Sequence, residues 1–531
     1  MVDWLIQNAW ILDGSGGPAF WGDAAVAGGR VAAVGNLRET PAAHVVDAAG
    51  RTLTPGFLDI HRHGDAALFR PDYGKAELMQ GITTVVNGNC GMSAAPVCGG
   101  CAEAIRRYLS PVLGEPPEEK FPTVEAYFRS AAEQPLRINA GLLAGGGVLR
   151  AGAAGFRPGS LSPEELRRVR REMERALGDG VLGVSLGLGY APECFYSPEE
   201  LLAALAPLHG SGVPITVHMR QEGDGVTDAL AEMIALAREL RTPVEISHLK
   251  AIGRRNWRSA VPAMLRAITA AREAGSDVSC DVYPYTAGST QLIHVLPPEV
   301  SSGGLEALTA RLRDPAERAA IRRRMETGRD FENITALCGF ENVRATGLRR
   351  PENRELEGKS LAEIASAEGK DPFDALFDLL ADEECAPSMI DFIAAEEDIC
   401  DILRAPFTSV ISDAIYPSAG LLHPRVYGMT AHLLNRYVRE LGTLTLPEAV
   451  NRLTRRPADR LGLGRKGRLE PGADADLCLF DPARFRARST YETPAVYAEG
   501  MDWVFVGGTP AVAEGRLTKA FSGKLLRRET R

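Results

Sequence analysis

The stretch that decides the fold is PGFLDIHRHGD, residues 55–65. A short apolar run, FLDI, leads straight into His61, Arg62 and His63. In an extended chain residues two apart share a face, so both imidazoles can point the same way from the end of one strand. With FLDIH (57–61) as the first, strand-like segments repeat along the chain: ITTVVNGN (82–89), INAGLLA (138–144), VLGVSLGL (181–188), PITVH (214–218), VEISH (244–248), SDVSCDVY (276–283) and TSVIS (408–412). Helical stretches fall between several of them. One is SPEELRRVRREMERALGDG, which opens on the N-cap residue Ser162 and meets its stop near Gly178. Strands alternating with helices in this way predict an α/β fold, a (β/α)8 TIM-like barrel over 57–463. The gap between the last two strands is too long for one crossover, so a mostly helical insertion or lid is expected at about 295–400.

Outward from the barrel, both ends of the chain are β-rich. WLIQNAWIL, GDAAVAGGRVAAVG and HVVDAAGRTLTPG near the start match GRLEPGADADLCLFDP (467–482) and WVFVGGTPAVAEGRL (503–517) near the end. They predict a discontinuous β-sandwich domain from 1–56 and 464–531. The 531 residues suffice for such a pair of domains. A 45% apolar and 24% charged composition is that of a soluble globular protein. The net charge of −9 argues against a nucleic-acid or anionic-membrane surface. No apolar run approaches bilayer length, and the N-terminus, with Asp3 in place of a basic region, does not read as a signal peptide. Nine cysteines are too sparse for a disulfide scaffold, so a reducing cytoplasm is the expected compartment.

Barrel enzymes build their sites at the C-terminal ends of the strands. There the sequence offers His61 and His63 after the first strand, Cys90 after the second, His218 and His248 after the fifth and sixth, and Asp413 after the eighth. The chain has nine histidines, so four of them fall on one rim. Each alone reads more readily as a core or surface histidine; together with a cysteine and an aspartate they predict a metal site. Imidazole and thiolate select zinc. The tight ion is expected on Cys90, His218 and His248, with a fourth position open for water. A second, weaker site is expected on His61 and His63, sharing the Cys90 sulfur. Zinc lowers the pKa of water and polarises an amide carbonyl, and Asp413, with no cation adjacent in sequence, is the candidate general base and acid. The fourth strand, GVLGVSLGLGY, holds no lysine that could become a carboxylated metal bridge. The Cys98/Cys101 pair lacks the second pair or the thioredoxin-like setting that a zinc clip or redox motif needs.

PGFLDIHRHGD, TTVVNGNCGMSAAP, LGLGYAPECFYSPEEL, TVHMRQEGDG, EISHLKAIGRRNW, CDVYPYTAGST, ISDA and HPRVYGMTAHLLNRYVRE resemble, in order, the motif series of the D-aminoacylases, the N-acyl-D-amino-acid deacylases of the amidohydrolase superfamily. The resemblance implies the barrel and the zinc roles above, and a small-molecule N-acyl-D-amino acid as substrate. It also implies that Lys250, Tyr283, Ser289 and Arg425 hold the substrate carboxylate and that Tyr190 lines the pocket. An arginine suits such a bidentate clamp, although Arg425 alone would read as a structural ion pair. Ala414 stands where the family usually has glycine, and MTAHLLNRY departs from its usual run, changes that bear on pocket and lid. Two rivals remain at this stage. A cyclic-amide hydrolase of the dihydropyrimidinase or dihydroorotase kind is opposed by Cys90 and the missing lysine. A non-catalytic barrel scaffold has no reason to keep every ligand together with Asp413.

Overall fold

The computed structural model describes residues 1–115 and 121–528. Among them, eight parallel strands follow one another in chain order around a barrel: Phe57–Asp59, Ile82–Asn87, Asn139–Gly145, Gly183–Gly187, Ile215–His218, Val244–Ile246, Val278–Val282 and Thr408–Val410. The last closes on the first just beyond both strands. Asp413 N donates to His61 O, and His63 N donates to Ala414 O, each at 2.9 Å. Every residue of these strands is buried. That is why they read as short apolar runs without alternation: parallel strands are covered on both faces, by helices outside and by side chains inside. The helix Pro163–Asp179 shows how the covering layer is bounded. Ser162 accepts from Glu165 N in a capping box, and Gly180 takes the left-handed cap at φ 98°. The helix thus stops one residue past the expected glycine, at the next one.

Both ends of the chain meet in one nine-stranded sheet, in which Thr52–Pro55 pairs antiparallel with Leu477–Phe480. The sheet has its own core, including Ile6, Ile11, Val26, Leu53, Leu477 and Phe505. Asp476 ties this unit to the barrel. Its carboxylate accepts from Lys466 Nζ at 2.6 Å, from Asn139 Nδ2 at 3.0 Å and from Gly507 N at 2.7 Å.

Between Val282 and Thr408 lie helices such as Leu305–Arg313, Pro315–Thr327 and Pro372–Asp382, and a three-stranded antiparallel sheet. Its central strand, Ser388–Phe392, is flanked by Ala287–Gln291 and Val343–Thr346. The sheet was not expected, because AGSTQ and VRAT carry no apolar alternation; their pairing is made by backbone, over the barrel mouth. No helix among the described residues is long and apolar enough to cross a membrane.

Candidate metal centre

His61 and His63 leave the first strand on the same side, with ring centroids 5.6 Å apart, and both are buried. Cys90, His248 and Asp413 each sit one to three residues past a strand end at positive φ, 53°, 36° and 52°. Non-glycine residues rarely adopt this conformation, and where they do the surrounding structure must enforce it. At Cys90 the enforcement is visible. Asn89 Nδ2 donates to Ile60 O and Val86 O, and Gly91 N donates to Ser185 Oγ of the fourth strand at 3.0 Å. The strand that lacks a lysine therefore serves the site by fixing the cysteine turn.

The six expected residues come together. Cys90 Sγ lies 3.2 Å from His61 Nε2 and 3.4 Å from His248 Nε2, and His218 Nδ1 lies 3.1 Å from His248 Nε2. Asp413 Oδ1 is 3.2 Å from His63 Nε2 and 3.4 Å from His61 Nε2. One donor atom from each of His61, Cys90, His248 and Asp413 fits within 4.8 Å of the others. Burial opposes ionisation of the Cys90 thiol, yet His61 and His248 beside it hold its pKa well below the ordinary thiol value. A buried thiolate ringed by imidazoles is the donor chemistry that zinc requires, so the residues fit the ion.

Two acids that sequence reading missed pair with these histidines. Glu222 places one oxygen 3.0 Å from His248 Nδ1 and the other 2.7 Å from Lys250 Nζ. Asp281 lies 3.3 Å from His61 Nδ1 and also accepts the His248 backbone N–H. Carboxylates in this position fix the tautomer and plane of a ligating histidine. Each had a weak signal: Glu222 stands four residues after His218, and Asp281 is an acid inside a fully buried strand.

Asp413 differs from its sequence reading. No cation is adjacent in the chain, but Arg425 Nη1 lies 3.1 Å from Asp413 Oδ2. Burial would raise the Asp413 pKa; Arg425 and His63 hold it well below the usual carboxylate range. Arg425 itself is fully buried, donates from Nη2 to Ser289 O at 3.0 Å and stacks over Tyr283 at 4.8 Å. Arg425 is thus engaged with Asp413, and Ser289 meets it through its carbonyl. The turn is held by His423, whose Nε2–H donates to Ala287 O at 3.0 Å and whose Nδ1 accepts from Arg425 N at 3.0 Å. Lys250 Nζ lies 5.8 Å from the Tyr283 ring centroid, so two cations sit within about 6 Å of this ring. Asp391, on the central strand of the inserted sheet, faces the same pair; burial pushes its pKa up to about 6. Tyr190 packs at a tilt against His218 and His294, with ring centroids 4.2 Å away in each case, on the opposite side of the rim. Ala414 is fully buried against Ala67, Tyr416 and Val426, so its methyl group is accommodated away from the ligands. Cys98 and Cys101 are free, partly exposed thiols.

Residues 44–512 match the amidohydrolase family. The chain is 32% identical to a D-aminoacylase of Alcaligenes xylosoxydans xylosoxydans, over 99% of this chain and 98% of that one. It is 33% identical to an N-acyl-D-glutamate deacylase of the same organism, over 99% and 97%. The fold superposes with a TM-score of 0.83, at 32% identity and 99% coverage of both chains, on the crystal structure of an N-acyl-D-glutamate deacylase from Bordetella bronchiseptica complexed with zinc and a phosphonate mimic of the tetrahedral intermediate. A closed parallel barrel, a thiolate among histidines on its rim and end-to-end similarity to these enzymes place the chain in the amidohydrolase family, among the D-aminoacylases and N-acyl-D-amino-acid deacylases.

Proposed function

We propose that the chain is a zinc-dependent deacylase that hydrolyses the amide bond of N-acyl-D-amino acids, or of a dipeptide ending in a D-residue, to a carboxylic acid and a D-amino acid. One observation carries the reading: the buried cluster of Cys90, histidines and Asp413 lies directly against a buried cationic shelf, Lys250, Tyr283 and Arg425. An amide to be cut and an α-carboxylate to be held occur side by side in this substrate class.

Cys90, His218 and His248 would hold the tight ion, and His61 and His63, with the same sulfur, a weaker one. When bound, zinc lowers the pKa of an attacking water toward about 7 and polarises the scissile carbonyl. Asp413, kept ionised by Arg425, takes the proton released as the water oxygen bonds to the carbonyl carbon. The same carboxyl then delivers that proton to the leaving nitrogen as the C–N bond breaks. Arg425, which already spans from Asp413 to Ser289, reaches the base and the substrate carboxylate from one guanidinium and so sets the distance between them. Lys250, anchored by Glu222, supplies the second positive charge, and Tyr283 offers its ring to both cations.

The test is removal of the α-carboxylate. N-acetyl-D-leucinamide should react with a kcat/KM at least about 10²-fold below that of N-acetyl-D-leucine, since the shelf would be left as unpaired buried charge. Equal kcat/KM values would remove the carboxylate from recognition and with it this reading.

A further inference from the structure

Beside the metal centre, beyond His218 and Tyr190 and beneath the inserted segment, lies a cavity of about 180 Å³. Two arginines line it, and every nitrogen of both is already engaged. Arg220 pairs with Glu232 through Nε at 3.0 Å and Nη2 at 2.9 Å, and its Nη1 donates to Cys194 O at 2.9 Å. Arg324, nearer the rim, meets Glu299 through Nε at 2.7 Å and Asp330 through Nη1 at 2.7 Å and Nη2 at 2.9 Å. Among the described residues of the lining there is no other lysine or arginine. The remaining polar groups include the carboxyl of Glu332, the hydroxyls of Tyr108, Tyr190 and Ser301 and the imidazole of His294; His294 Nε2 and Tyr108 Oη are buried without a hydrogen-bond partner. Ionised, Glu332 repels a carboxylate; protonated, it cannot neutralise one. The cavity therefore offers hydrogen bonds to an entering group but no unmatched positive charge, and a carboxylate desolvated there would lack a counter-charge.

The cavity also opens next to the cationic shelf. Glu332 Oε2 accepts from Glu222 N at 2.7 Å, and Glu222 is the ion partner of Lys250. A group branching from the carbon that bears the clamped carboxylate would enter here. We propose that this cavity receives the side chain of the D-amino acid, admits uncharged side chains and excludes carboxylates, so that the preferred substrates are N-acyl derivatives of neutral D-amino acids and not of D-glutamate or D-aspartate. This inference rests on the deacylase reading and narrows it, with His294 and Glu332 as the residues that touch the side chain.

N-acetyl-D-glutamine and N-acetyl-D-glutamate are isosteric and differ by the charge in question. On the zinc-loaded full chain, kcat/KM for the glutamine derivative should exceed that for the glutamate derivative by at least about 10²-fold, with N-acetyl-D-leucine also above the glutamate derivative. The double variant Glu299→Gln/Asp330→Asn frees Arg324 and should raise the glutamate-to-glutamine ratio at least about tenfold. N-succinyl-D-leucine, which carries its extra carboxylate on the acyl side, should lose less than the glutamate derivative does. Parity of the glutamate and glutamine derivatives, an unmoved ratio in the double variant, or a penalty confined to the succinyl compound would each overturn the cavity assignment and leave the deacylase reading in place. Absence of turnover on every N-acyl-D-amino acid would instead remove the deacylase reading itself.

Discussion

At Cys90 a strained backbone holds a sulfur within 3.4 Å of two imidazoles, and no other residue of the cluster brings a thiolate. Replacing it with alanine removes the donor common to both expected sites. The Cys90→Ala protein should lose its tightly bound zinc in elemental analysis, and full retention would contradict the ligand assignment. Asp413→Asn preserves shape while deleting the base; zinc content should stay near that of the parent while kcat falls by about 10²–10⁴-fold. A kcat near the parent value would take the proton-transfer role away from Asp413. The residues read from the sequence were those placed by strand period and strand ends: His61, His63, Cys90, His218, His248 and Asp413. Glu222 and Asp281 escaped because their partners His248 and His61 lie 26 and 220 residues away in the chain, and the local signals that each carried are weak. Arg425 was legible through family resemblance alone, since its Asp413 partner exists only once the barrel has closed.

The first barrel strand shows how an element delivers these residues. With His61 and His63 facing the axis, Arg62 must point the other way, and it is fully buried there. It is held by Glu77 at 2.8 Å, Asp59 at 3.4 Å and the hydroxyl of Tyr416. Glu77→Ala would leave that guanidinium short of counter-charge in the strand that carries two ligands. Its urea midpoint should fall by an amount equivalent to about 3–5 kcal/mol, and a change within error would show that the pair does not anchor the strand. Strand positions were readable because each buried parallel strand is a compact apolar run. Their exact ends were not: in VEISH the ladder stops at Ile246 and the chain turns at Ser247–His248, and in TSVIS the ladder stops at Val410. The inserted sheet was unreadable for a related reason. AGSTQ acquires its strand character from pairing with Ser388–Phe392, far along the chain, and not from its own side chains.

Over the whole molecule, the barrel closure and the inserted segment meet at the metal rim, while Asp476 pins the terminal sheet to Asn139 at the start of the third strand, the opposite end of the barrel. The alternation of strands and helices made the barrel legible, and the β-rich ends made their union legible. How the insertion covers the mouth was not, since contacts such as Glu332 to Glu222 link a loop to a strand end more than 100 residues earlier. Because the proposed ligands come from strands spread around the barrel, zinc bound to the folded chain should stabilise all of it. Chelated protein should melt below zinc-loaded protein, and identical Tm values would place the ion outside the barrel core. The central claim, that this rim cuts N-acyl-D-amino acids, is tested most directly by chirality. A carboxylate shelf, a scissile carbonyl and a side-chain cavity at fixed relative positions can be satisfied together by one enantiomer. Release of free amine from N-acetyl-D-leucine and N-acetyl-L-leucine by the zinc-loaded chain should differ in kcat/KM by at least about 10²-fold in favour of the D-isomer, and equal values, or preference for the L-isomer, would contradict the account.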